Sequence, residues 1–253
     1  MVQAQKNEFG LEGGAAGYLG DINKNELFSF SGSSFRFFYR YNKNNRISYS
    51  LGYSTGTIRA SDSKYGTSEN QIERNLDFTS QINEISGLME INYFPYVSGN
   101  MSKKFTPYLF YGITLFQFSS TTELDGVEYK LRSVGTEGQG LAGGEKAYAP
   151  FGIAIPFGLG TRLRLGKQYN LNTSFGYRFT SSDYIDDIGG DYPDLNQLQE
   201  EKGEFAGTLS DRSTDGFDKS FTQRGDDTNL DKYFFLTIGI SYTINPYRCP
   251  QFF

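Results

Sequence analysis

Apolar and polar residues trade places at every second position along most of this chain, in runs of the length a tilted membrane strand needs, about 9 to 11 residues. Phe35, Phe37, Tyr39 and Tyr41 share one face while Ser34, Arg36 and Arg40 take the other, with Phe38 the exception. Ile47, Tyr49, Leu51 and Tyr53 alternate with Ser48, Ser50, Gly52 and Ser54. The same holds for Ile153, Ile155, Phe157, Leu159, Leu163 and Leu165 against Ala154, Gly158, Gly160, Arg162 and Arg164. Tyr169, Leu171, Phe175, Tyr177 and Phe179 are set against Asn170, Asn172, Ser174, Gly176 and Arg178, and Leu236, Ile238, Ile240, Tyr242 and Ile244 against Thr237, Gly239, Ser241 and Thr243. Three further runs are less regular. Phe9, Leu11 and Ala15 face away from Glu8 and Glu12; Met89, Ile91 and Tyr93 face away from Glu90 and Asn92; and residues 108–118 are apolar on both sides and give no face. The pattern predicts eight strands between about residues 8 and 244.

Strands in a bilayer must pair all their backbone groups, which forces closure into a barrel. Composition agrees: 19 Tyr, 23 Phe and 30 Gly accompany only 37% hydrophobic residues and a mean hydropathy of -0.50, as expected when only every second strand residue meets lipid. No apolar run approaches the roughly 18 to 20 residues of a membrane-spanning helix. The connections alternate strictly. Residues 42–45, 95–104 and 166–168 are short and carry turn-forming residues, whereas 20–31, 58–75, 119–147 and 181–231 are long. Bacterial barrels keep short turns in the periplasm and long loops outside. The expectation is therefore one domain, residues 1–253: an all-β, eight-stranded antiparallel transmembrane barrel of the bacterial outer membrane, with both termini and a tail at 245–253 in the periplasm. Residues 1–5 show neither a basic nor an apolar leader segment, so the sequence reads as a mature chain.

Eight strands enclose a space that side chains just fill. The inward Glu12, Arg36, Arg40, Glu90, Arg162, Arg164 and Arg178 are thus expected to form a lumenal ion-pair network, not a conducting path. The chain lacks histidine, which removes the commonest general base and the usual catalytic triads and zinc sites. No nucleophile is flanked by a plausible base, so no enzyme, cofactor or metal is predicted. Residues 183–231 hold 14 Asp and Glu against 4 Lys and Arg. Asp183, Asp186, Asp187, Asp191 and Asp194 would suit a hard cation by oxygen content, but their spacing matches no EF-hand, and a solvated, mobile loop is the preferred reading. The net charge of -5 comes with no basic stripe interleaved with aromatics, so nucleic acid is not expected as a partner; outer-membrane lipids are. Cys249, the single cysteine, lies in the tail with Tyr247, Arg248 and Pro250. It is either an idle thiol or half of an intermolecular disulfide, and pairing with a partner is the favoured reading.

Four stretches carry a family likeness: residues 8–22 (EFGLEGGAAGYLGDI), 35–53 (FRFFYRYNKNNRISYSLGY), 156–187 (PFGLGTRLRLGKQYNLNTSFGYRFTSSDYIDD) and 232–250 (KYFFLTIGISYTINPYRCP). They resemble the PorG family, the small outer-membrane barrels of the type IX secretion system. The most specific elements are Tyr-Leu-Gly-Asp at 18–21, Thr-Ser-Ser-Asp-Tyr-Ile-Asp-Asp at 180–187 and the Cys-Pro tail. The resemblance implies a non-enzymatic role, in association with a periplasmic ring of the PorK lipoprotein and PorN. The tail with Cys249 is the segment best placed to grip a ring subunit. The loop at 189–230 is enlarged relative to a compact pattern, which leaves a second role open: a free-standing surface barrel that binds external partners through its long loops.

Overall fold

The first and last strands of the chain pair with each other, and that contact decides the architecture. In the computed structural model, which describes residues 7–96, 104–226 and 228–244, β1 (Asn7–Leu19) runs antiparallel to β9 (Lys232–Ile244), with Asn7 opposite Ile244 and Leu19 opposite Lys232. Between them lie β2 (Phe30–Asn42), β3 (Ile47–Ser61), β4 (Asp77–Asn92), β5 (Phe105–Leu124), β7 (Phe151–Arg164) and β8 (Tyr169–Thr180). Each is antiparallel to its neighbours. A short β6 (Val127–Lys130) only extends the β5 hairpin. The wall is thus a closed, eight-stranded antiparallel barrel without a free edge.

Alternation sorts the two faces. Outward stand Phe9, Leu11, Phe37, Leu51, Ile85, Leu109, Ile113, Ile155, Leu159, Ile238 and Ile240, all exposed, which is the apolar belt of a membrane barrel. Tyr49, Tyr93, Phe94, Tyr169 and Tyr242 ring its short-turn end as an interfacial aromatic girdle. Among the described residues no helix is long and apolar enough to cross a membrane. The faces of residues 108–118, unassigned from sequence, resolve cleanly: Tyr108, Phe110, Thr114, Phe116 and Phe118 are buried inside, while Leu109, Tyr111, Ile113 and Leu115 face out.

Phe38 has a physical reason for breaking the pattern. Its ring points inward between two guanidinium groups, 4.8 Å from that of Arg36 and 4.5 Å from that of Arg40. Its cross-strand neighbours are Gly10 and Gly52, and a Cβ at Gly10 would collide with the ring. Space in a narrow lumen is shared between bulky and absent side chains on adjacent strands.

The short turns at 43–46 and 165–168 are tight, the first closed by Asn44, whose side-chain carbonyl accepts from the amides of Arg46 and Ile47, both at 2.8 Å. Two strands outrun the sequence-based bounds at the opposite end, β3 continuing to Ser61 and β5 reaching Leu124, whereas β4 starts at Asp77, just past the expected connection. The long connections there fold into a cap with helices α1 (Asp62–Tyr65), α2 (Glu69–Arg74), α3 (Leu131–Val134), α4 (Leu195–Lys202) and α5 (Glu204–Ser210).

Candidate functional site

Two structures fill the barrel: a charged stack in the lumen and an apolar plug beneath the cap. In the stack, Arg40 is fully buried and donates to Glu90 at 2.7 Å, to Glu8 at 3.0 Å and to Asn172 at 3.1 Å. Arg162 pairs with the same Glu90 and lies 4.5 Å from the centre of the Tyr108 ring. Arg36 reaches Glu12 at 3.5 Å, and the Thr237 hydroxyl donates to that carboxylate at 2.9 Å. Higher up, Arg178 forks onto Glu84 at 2.9 and 3.2 Å, and Tyr233 donates to Glu84 at 2.8 Å. Glu8 and Glu84 are members that the sequence reading did not include. Arg164 departs from the expected role: it stands against the Tyr96 ring at 5.4 Å and contacts Asn170 at 3.4 Å, without an ion-pair partner among the described residues. Burying charge is tolerable only where partners replace water; Arg36, Arg40, Arg162 and Arg178 each have a glutamate, while Glu12 Oε1, Arg162 Nε and two nitrogens of Arg164 have no hydrogen-bond partner among the described residues.

Above the stack lies an apolar cluster that includes Ile22, Ile58, Phe78, Ile82, Phe116, Phe118, Ile185, Ile188 and Phe235. Ile185 and Ile188 belong to the acidic loop, so the expectation of a solvated loop is corrected: its start dips into the barrel mouth as an apolar wedge. The Ser120 hydroxyl holds the Ile185 carbonyl at 2.6 Å. The five aspartates singled out from sequence in this loop do not share one site. Tyr18 donates to Asp186 and also lies 3.0 Å from Asp231. Asp187 accepts from Thr136 and, at 2.6 Å, from Tyr148. Asp191 makes a bridge with Gln223, and Asp194 caps α4 by accepting from the amides of Asn196 and Gln197. No group of three metal-ligating side chains occurs among the described residues.

Two buried arginines lock the cap. Arg74 forks onto Asp62 at 2.8 Å through two nitrogens and donates to the Arg224 carbonyl at 2.6 Å. Arg224 in turn reaches Glu137 at 3.0 Å, the Asp187 carbonyl at 2.6 Å and the Ser210 carbonyl at 3.2 Å. A second small core, Val134, Leu141, Leu198, Ala206 and Leu209, joins the two longest loops.

Burial pushes the Asp187 carboxyl up to about 6, against the opposing pull of Arg224. Burial, and then the charge of Asp231, raises Asp186 well above the usual carboxylate range; burial, and then Asp183, does the same to Asp231. A carboxyl whose pKa is higher in the folded cap contributes stability that is fully present below its unfolded value near 4 and is lost as pH rises through its folded value. The cap is accordingly expected to loosen between pH 5 and pH 8, by on the order of 2 kcal/mol for Asp187 alone. Limited proteolysis at the two pH values, normalised to a peptide substrate, should show faster cleavage within 181–231 at pH 8; equal or slower cleavage there would contradict it.

Cys249, Tyr247, Arg248 and Pro250 lie outside the described residues. The model of the family described as a domain of unknown function, DUF6089, matches residues 1–250. The chain belongs to the DUF6089 family. No curated protein matches it. Solved structures similar to this DUF6089 chain include small outer-membrane barrels. They include the N-terminal β-barrel domain of Pseudomonas aeruginosa OprF, at 8% identity and a TM-score of 0.41 over 95% of this chain and 98% of that one. Neisserial surface protein A has 11% identity and a TM-score of 0.43 over 96% and 99%. Outer membrane protein W of E. coli has 14% identity and a TM-score of 0.38 over 96% and 100%. The DUF6089 chain is an outer-membrane β-barrel on its own geometry, through the closed register and the outward apolar belt, and does not depend on those likenesses.

Proposed function

We infer that the chain is a non-enzymatic component of the type IX secretion system, a membrane foot that anchors a periplasmic ring of PorK- and PorN-type subunits to the outer membrane. The observation that carries this reading is the filled lumen: charged stack, apolar plug and cap occupy the barrel, which leaves its ends as working surfaces. The sequence resemblance adds support. Two of its three most specific elements, 18–21 and 180–187, lie far apart in the chain and meet where Tyr18 donates to Asp186, so they form one physical unit. Short turns of bacterial barrels face the periplasm. Both termini, and the tail with Cys249, Tyr247, Arg248 and Pro250, then face the ring.

The test is a chain ending at Ile244, the last residue of β9, compared with one whose loop 189–230 is replaced by a short linker. With heat-modifiable gel mobility confirming assembled barrels, the tail-less chain should lose both secretion and co-purification of the ring lipoprotein, and the loop replacement should keep both. The opposite result would overturn the anchoring role and favour a surface barrel acting through its long loops. A reductant-sensitive band that joins the chain to a ring subunit and vanishes in Cys249→Ser would give the contact point.

A further inference from the structure

The lipid-facing wall is not bare all round. After Ile22, which enters the plug, residues 27–30 fold back along the outside of the barrel, over β8 and β9. The Phe28 ring lies 5.7 Å from Phe175, Phe30 meets Phe234 edge-on at 5.5 Å, and the Tyr177 hydroxyl donates to the Leu27 carbonyl. Phe234 faces outward by register yet is fully buried under this strap. Gly17 permits the close approach, since a Cβ there would strike the Phe234 ring and the Ser29 carbonyl.

Between strap and wall runs a groove of about 440 Å³ with apolar sides of Leu19, Leu27, Tyr177, Phe179 and Leu230, and with Lys24, Lys232 and the carboxylate of Asp21 as its charged groups. Lys232 stands across from Leu19 and Phe179 on the outward face. It lies on β9, at the opposite end from Tyr242 of the short-turn girdle. At about 3.3 Å per residue and a tilt of about 40°, that separation is roughly 25 Å, the height of the apolar band, so Lys232 sits at the far membrane interface. Lys24 is engaged by Asp21 at 3.4 Å and Asp226 at 3.9 Å, whereas Lys232 makes no ion pair among the described residues.

We propose that this groove binds one phosphorylated lipid of the outer leaflet, with an acyl chain along Leu27, Tyr177 and Phe179 and a phosphate against Lys232. Inside a membrane an apolar groove in the wall is filled by hydrocarbon, and an interfacial ammonium without an ion-pair partner among the described residues is complementary to a phosphate oxyanion. The leaflet follows from long loops facing outward; the groove stands apart from any role in secretion.

The experiment is native mass spectrometry of detergent-purified protein offered bis-phosphorylated lipid A, phosphatidylglycerol or phosphatidylcholine, on wild type, Lys232→Gln, Leu27→Asp and Lys167→Gln. Wild type should retain one lipid A per chain in preference to the other two. Lys232→Gln should weaken retention about tenfold, the loss of one charge-assisted hydrogen bond. Leu27→Asp should abolish it, and Lys167→Gln, in a turn at the other end, should leave it unchanged. Equal retention by wild type and Lys232→Gln, or a preference for either phospholipid, overturns the proposal. Because secretion is not measured, failure here leaves the anchoring role standing, and failure of that role leaves the groove standing.

Discussion

Glu90→Ala is expected to cost the barrel about 3 to 5 kcal/mol, the largest effect of any single lumenal substitution, because it strips a shared carboxylate from two buried guanidinium groups at once. Arg40 would keep Glu8, at 3.0 Å, while Arg162 would lose its only ion-pair partner among the described residues. Replacing both sides by apolar groups removes the stranded charge, so Glu90→Ala combined with Arg162→Met should recover part of the loss. Urea unfolding in lipid vesicles reads both. High salt should leave the difference in place, since a buried pair is screened little. A loss below about 1 kcal/mol would mean that Glu90 is solvated as a surface pair is.

Arg224→Met should release the cap and spare the barrel. The side chain ties Glu137, the Asp187 carbonyl and the Ser210 carbonyl into one knot, and Glu137 also accepts from the amides of Gly189 and Gly190. Without the guanidinium, the nearly buried Glu137 keeps only the two amides and loses its ion-pair partner, a penalty of about 3 kcal/mol that falls on local opening of 181–231. Limited proteolysis should cut that loop quickly while the strands stay protected and gel mobility stays that of a folded barrel. Loss of the barrel at the same denaturant concentration would show that cap and wall unfold as one unit.

The wall was readable from sequence because lipid enforces period two: one face meets hydrocarbon, the other a polar interior. Where that contrast fades, so did the reading. The upper half of β4 puts Thr79, Gln81 and Asn83 outside, beyond the belt, and Phe78 and Ile82 inside, so its polarity is inverted and Glu84 went unnoticed. Phe38 is an inward aromatic whose room comes from glycines on other strands, which no local pattern reveals. The cap was hidden for a different reason. Ile185 and Ile188 are embedded in aspartates, and the groups that bury those aspartates, such as Tyr18, Thr136, Tyr148 and Arg224, come from distant segments. A local charge count suggests water around such a loop, while long-range hydrogen bonds take the place of that water.

The central claim is a filled barrel that serves as a foot and not as a conduit, and single-channel recording of the purified protein in a planar bilayer tests it most directly. Wild type should stay electrically silent across the voltage range. Steady, reproducible conductance steps from the folded protein would contradict the packed lumen, and with it the reasoning that moves function to the ends of the barrel.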